Sequence, residues 1–137
     1  THIIHCGFNY SSTGGTKVYI PLTGYIYESS AFSGRNEYQT VIMPHDGYLS
    51  KVMVRSEEAC GYTVVGLHKS GLGTEVPSST ASNEADATLA VDDYPFTFTF
   101  GESASFTSSD ILAISFDPTN DANDTVVTCV FILDGST

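Results

Sequence analysis

The chain has 137 residues, the length of one domain and short for two, and at this size folding buries about two-thirds of the unfolded surface without disulfide or metal staples. Apolar residues make up 41% and charged residues 15%, with 12 Gly, 8 Tyr and 8 Phe, a composition that suits strands joined by turns. The formal net charge is −11, and every Lys and Arg lies in residues 1–69 while residues 70–137 hold eleven acids and no base, which speaks against nucleic acid and anionic lipid as partners.

No window repeats apolar residues at helical spacing, whereas short β-branched and aromatic runs punctuated by Gly, Pro, Asn and Asp recur throughout. Strands are predicted over residues 2–8, 17–22, 39–43, 47–55, 62–69, 87–92, 96–100, 111–116 and 125–133. Phe96, Phe98 and Phe100 alternate with Thr97 and Thr99, the pattern of a half-buried strand. Pro44-His45-Asp46-Gly47 reads as a tight turn joining two antiparallel neighbours. Residues 70–82 form a long polar loop and residues 117–124 an acidic one. The final strand is apolar on both faces, with Val127, Cys129, Phe131 and Leu133 on one and Val126, Val130 and Ile132 on the other. Such a strand lies between two layers or against another subunit. The expected architecture is all-β: one antiparallel β-sandwich over residues 1–137, jelly-roll-like, of eight or nine strands.

No stretch approaches the roughly 18–20 apolar residues of a membrane-spanning helix, so no membrane insertion is expected. The chain opens on Thr1 and not Met, as processing or excision from something longer would leave it. Cys6, Cys60 and Cys129 are odd in number and widely spaced, which favours buried free thiols and a reducing cytoplasm over a disulfide framework or a zinc site.

Chemistry-bearing patterns are sparse. His2, His5, His45 and His68 read as turn or surface residues, because His2 and His5 sit an odd number apart on a strand and point to opposite faces. No G-x-S-x-G elbow is present for Ser-His-Asp catalysis, and a carboxylate pair for glycoside hydrolysis would need a groove that this length hardly provides. The expectation is that the chain is not an enzyme. Asp117, Asn120, Asp121 and Asp124 supply the oxygen ligands that calcium prefers; the alternative is a turn with Asx-type self-capping. Segment 25–38 concentrates Tyr25, Tyr27, Arg35, Asn36 and Tyr38, residue types of binding hot spots, against the plainer reading of aromatic side chains packed at strand edges.

The run Val41-Ile42-Met43-Pro44-His45-Asp46-Gly47-Tyr48-Leu49-Ser50-Lys51-Val52-Met53-Val54-Arg55-Ser56, continued by Val64-Val65-Gly66-Leu67-His68-Lys69, resembles a family of marine tailed-phage virion proteins. The closing run Asp110-Ile111-Leu112-Ala113-Ile114-Ser115, Asp117-Pro118-Thr119-Asn120 and Val127-Thr128-Cys129-Val130 resembles that family's last segment. The resemblance implies a small β-sandwich module on a phage particle assembled in the host bacterial cytoplasm. Its role would be a tail-fibre head contacting the host surface or a capsid decoration subunit, with other virion proteins as partners. A homo-oligomer is expected, a trimer favoured, with a host surface glycan as a further partner. The alternative from another class is a carbohydrate-binding module that uses calcium.

Overall fold

The computed structural model describes residues 1–24, 27–32 and 36–136, with Asn36 as backbone only. Among the described residues, ten strands and one short helix follow in order: β1 (His2–Tyr10), β2 (Val18–Tyr19), α1 (Asn36–Gln39), β3 (Val41–Ile42), β4 (Gly47–Ser56), β5 (Gly61–Ser70), β6 (Asn83–Leu89), β7 (Phe96–Thr99), β8 (Ser105–Phe106), β9 (Ile111–Pro118) and β10 (Asn123–Leu133). They form two five-stranded antiparallel sheets. The first runs β1-β10-β4-β7 with β8 also on β4, and the second runs β2-β9-β5-β6 with β3 also on β9. The chain passes from one sheet to the other at most connections, the winding of a jelly-roll-like sandwich.

Period-two alternation on each strand supplies the core between the sheets. Val127, Cys129 and Phe131 from β10, Leu49, Val52 and Val54 from β4, Phe98 from β7, and Leu112, Ile114 and Phe116 from β9 are all buried there. Leu49 and Val52 are three residues apart, which strict alternation would place on opposite faces. A bulge resolves the conflict: Val130 pairs with Lys51 but the next residue, Phe131, pairs with Leu49, so Ser50 is the extra residue and both apolar side chains face inward. Gly47 is required at the end of β4, because a Cβ there would collide with the Ile132 carbonyl oxygen.

Three expectations are corrected. The Pro44–Gly47 turn does not join paired neighbours, since β3 pairs with β9 in the second sheet while β4 belongs to the first; the turn crosses between sheets. Gln39, placed in a strand by its neighbours, ends the single-turn helix α1. His68 is completely buried and is not a surface histidine. The three cysteines are free, Cys60 and Cys129 buried and Cys6 partly so.

The outer faces of the sheets differ. Over one end of the second sheet, Tyr19, Phe32 and Ala113 form a small cluster joined by Val76, and the chain around residues 76–82 straps across it through Ser82 N to Leu67 O at 2.8 Å and Lys17 Nζ to Ser79 O at 3.1 Å. No comparable cover lies on the first sheet among the described residues.

Candidate functional site

The uncovered face of the first sheet is built by the odd positions of β1, the even positions of β10 and, beyond the bulge at Ser50, the odd positions of β4. The strand register aligns Ile3 with Val130 and Lys51, His5 with Thr128 and Met53, and Gly7 with Val126 and Arg55. Ile3 is 48% exposed and Val126 45% exposed, and a shallow depression flanks Val126 beside Met53, Arg55 and Pro95. β10 is therefore central within its sheet, not between two layers. Two of the chain's five bases, Lys51 and Arg55, stand along the β4 side of this face with Met53 between them. Arg55 reaches Asp93 at 3.2 Å, but both side chains are about half exposed or more, so this ion pair contributes little.

Segment 25–38 lies only in part within the described residues. Tyr25 and Arg35 lie outside the described residues, and the side chain of Asn36 is likewise not described. Tyr27 is 41% exposed at the rim of a hollow shared with Ser11, Ser12, Glu28, Ser29 and Ser30. Tyr38 sits half-buried in α1, its carbonyl accepting from Thr23 N at 3.2 Å and from Thr23 Oγ1 at 3.0 Å. Glu28, between the aromatic residues in sequence, was not distinguishable from an ordinary surface acid by pattern. It is only 6% exposed, and its Oε2 accepts from Ser11 N, Ser12 N and Ser12 Oγ at 2.9, 3.0 and 2.9 Å. Close by, the Tyr10 hydroxyl lies 2.7 Å from Thr16 O and 3.0 Å from Thr13 O. Burial first, with the fields of Glu28, Asp121 and Asp117 adding, pushes this phenol up to about 12.

The acidic positions occupy different surroundings. Asp117 is on β9, paired with Val64, and lines a hollow with Tyr62 and Pro118. Asn120 N donates to Cys60 O at 2.9 Å. Asp121 Oδ1 accepts from Gly14 N at 2.6 Å, tying the loop to the turn after β1. Asp124 is on β10 opposite Asn9 and close enough to Glu57 to hold that carboxyl above its ordinary range. Among the described residues no group of three or more His, Cys, Asp and Glu side chains is placed to hold a metal ion.

A pair with the outline of a nucleophile and its base is also present. His68 Nε2 lies 2.8 Å from Ser115 Oγ, and Nδ1 lies 2.8 Å from Ser78 O. Ser115 is only 4% exposed and His68 not at all, and the Tyr19 ring closes over the imidazole edge-on at 5.1 Å. A substrate has no approach to that hydroxyl, so the pair fastens the 76–82 strap. Two of the thiols are unsuited to nucleophilic work: burial pushes Cys6 up to about 12 and holds Cys129 well above its ordinary range.

No protein-family model matches the chain, and no curated protein is significantly similar to it in sequence. Among solved structures, it is similar to the Eiger TNF of S. frugiperda at 11% identity and a TM-score of 0.43, covering 96% of this chain and 93% of that one. The empty virus-like particle of Cowpea Mosaic Virus is similar at 13% identity and a TM-score of 0.42, covering 97% and 81%. Broad Bean Stain Virus follows at 14% identity and 0.41, covering 98% and 87%. The chain's own strand pairing defines its jelly-roll-like winding.

Proposed function

We propose that this chain is a non-catalytic structural module of a virion, of the marine tailed-phage kind that its sequence motifs resemble, either a tail-fibre head or a capsid decoration subunit. The observation that carries this reading is the unequal treatment of the two sheets: one outer face is strapped over, while the other presents Ile3, Val126 and Val130 around the His5–Thr128 pair and, along β4, Met53 between Lys51 and Arg55. An apolar strip of this kind is what contacts between subunits cover. In a chain of net charge −11 a strip edged by two bases complements the acidic surface of another copy, and a trimer is the favoured assembly. Native mass measurement tests this. The wild-type chain should run as an oligomer, and Val126→Asp with Val130→Asp, both on the outward face, should give a folded monomer; a monomeric wild type, or an unchanged mass in the folded variant, overturns it.

Contact with a host surface would belong to the Tyr25, Tyr27, Arg35, Asn36 and Tyr38 segment. A combined Tyr27→Ala, Arg35→Ala and Tyr38→Ala variant should lose adsorption while keeping the native mass. Undiminished adsorption assigns the segment to packing. Calcium at Asp117, Asn120, Asp121 and Asp124 is a separate proposal: a melting midpoint that rises in calcium and falls back in Asp121→Ala supports it, and identical midpoints in calcium and in chelator remove it. The second reading, a carbohydrate-binding module, is favoured by the hollow beside Glu28.

A further inference from the structure

We propose that β1 is a pairing edge: it adds, antiparallel and about a two-fold axis at His5, to β1 of a second copy of this chain and joins the two first sheets into one. This contact goes beyond the one made by the outward face, because backbone groups at a sheet edge form it and not side chains on a face. It begins from an inequality among the edges. β1 stands at the end of the first sheet, and among the described residues no strand pairs with its far side. Its nine residues run in unbroken register with β10, from His2 opposite Phe131 to Tyr10 opposite Asn123, so no bulge bends it away. In such a strand every second residue turns its N–H and C=O from the neighbour towards the open side. Among the described residues, no backbone hydrogen bond of a turn or loop reaches residues 2–10.

Edges of native sheets are normally blunted by shortness, charge, proline or a bulge. The other edges here follow that rule. β2, β3 and β8 have two residues each and β7 has four, while β6 presents the exposed Glu84 and Asp86. β1 has none of these devices, since residues 2–10 include no Lys, Arg, Asp, Glu or Pro. The core points the same way. Phe8 and Tyr10, inward at one end of β1, are buried, whereas Ile4 and Cys6, inward at the other, pack against the core and are only partly buried. The sandwich is therefore open along that half of its edge, and what closes it is an apolar strand.

A second β1 meets both demands. The net charge of −11 opposes the approach of another copy in general, and β1 is a long stretch that carries no acid. A charged segment of a different protein finds nothing there to select it. An antiparallel edge is also its own complement about a two-fold axis. Centred on His5, the pairing sets Ile3 opposite the partner's Gly7 and Ile4 opposite the partner's Cys6, large beside small on both faces. An edge takes one partner, so copies join in pairs and the outward face stays free. One strand pair is marginal by itself in water, so the contact shows on concentrating the protein and where an assembly holds copies close.

Residue-resolved amide hydrogen exchange tests the pairing, read by NMR from dilute to concentrated solution on the intact wild type and on Val126→Asp with Val130→Asp, which the outward face no longer holds together. In that variant the open-side amides of β1 should exchange freely when dilute and slow about tenfold or more on concentrating. Adding His5→Lys, at an exposed position, sets like charges opposite each other at the axis and should abolish the slowing, while amides bonded to β10 stay protected. Should His5→Lys unfold the chain, Ile3→Lys, also exposed, carries the test in its place. The pairing is overturned by open-side amides that exchange freely at every concentration, which would leave the edge to another protein's strand or to none. It is overturned also by protection already present in the dilute monomer, which would assign the cover to the chain's own residues, or by protection that survives both lysine variants. An oligomeric wild type with freely exchanging open-side amides would sink the edge contact and leave the outward-face reading standing; a wild type that is monomeric and unprotected at every concentration would sink both.

Discussion

The Ser115 hydroxyl donates to Nε2 of His68 across 2.8 Å, and this direction is fixed by the far side of the ring, where Nδ1 faces the Ser78 carbonyl at 2.8 Å. A carbonyl only accepts, so Nδ1 carries the proton and Nε2 is left to accept. The neutral ring therefore links β5, β9 and the 76–82 strap. Burial, the largest cause, lowers the His68 pKa below its ordinary 6.5; the Ser78 carbonyl opposes this and Lys17 adds to it.

Acid should consequently loosen the domain through His68. A histidine whose folded pKa is depressed binds fewer protons folded than unfolded between its folded value and 6.5, so stability rises with pH across that window and falls as pH drops below about 6.5. Urea midpoints measured from pH 8 to pH 5 should decline in the wild type. In His68→Gln they should start lower and decline less steeply, since the titrating group is gone. Equal slopes in the two proteins would show that His68 does not supply the acid sensitivity.

Gly66 lies under the same pair. A Cβ there would come within 2.6 Å of Ser115 Oγ, 3.0 Å of Ala81 Cβ and 3.2 Å of His68 Nε2. Gly66→Ala should therefore destabilise by about 1–3 kcal/mol, the usual range for overfilling a packed site. Adding Ser115→Ala removes the nearest obstacle, and the double variant should lose less than the sum of the two single losses. Strict additivity in chemical denaturation would mean that the strap moves instead of the hydroxyl.

Much of this sandwich was legible because its strands alternate. Phe98 is fully buried, Phe96 and Phe100 partly, and Thr97 and Thr99 are exposed, as period two requires. β10 was legible as apolar on both faces, and the structure places one of those faces outward. What pattern could not supply was long-range partnership. The Pro44–Gly47 turn has the residues of a hairpin, but whether its flanking strands pair depends on β9, some seventy positions away. Ser105–Phe106 is too short to announce itself as a strand, and Gln39 is helical for reasons its β-like neighbours conceal. The candidate site was legible in composition only: Tyr27 could be named as an exposed aromatic, whereas Glu28 gains its interest from burial and from its hydrogen bonds with Ser11 and Ser12, which no spacing encodes.

The core should fail first at its aromatic centre. Phe98 on β7 is fully buried opposite Val52, and Phe131 on β10 is fully buried against the Phe106 ring at 5.8 Å. Phe98→Ala or Phe131→Ala should each cost about 3–5 kcal/mol through lost transfer energy and the cavity left behind. Thr99→Ala, exposed on the same strand as Phe98, should stay within about 0.5 kcal/mol. Comparable losses from Phe98→Ala and Thr99→Ala would contradict the assignment of the inward face.

The opposite sign is expected at Glu57. Its backbone N donates to Asp124 O at 2.8 Å, which brings the two carboxyls together at the exposed start of β10. The charge of Asp124 is the largest cause of its raised pKa, followed by slight desolvation, a shared hydrogen bond with Asp124, and Glu58 and Asp93. A carboxyl whose folded pKa is raised favours the folded state only while protonated, below about 4.5, and that advantage is lost as pH rises through the folded value. At neutral pH the ionised pair repels, so Glu57→Gln should raise the melting midpoint at pH 7 in low salt. Between 0.01 and 1 M salt the screening length falls from about 30 to 3 Å, and the gain should shrink accordingly; it should shrink also below pH 4.5, where the wild-type carboxyl is protonated. A midpoint that is unchanged or lowered at pH 7 in low salt would show that the two acids do not oppose each other in the folded chain.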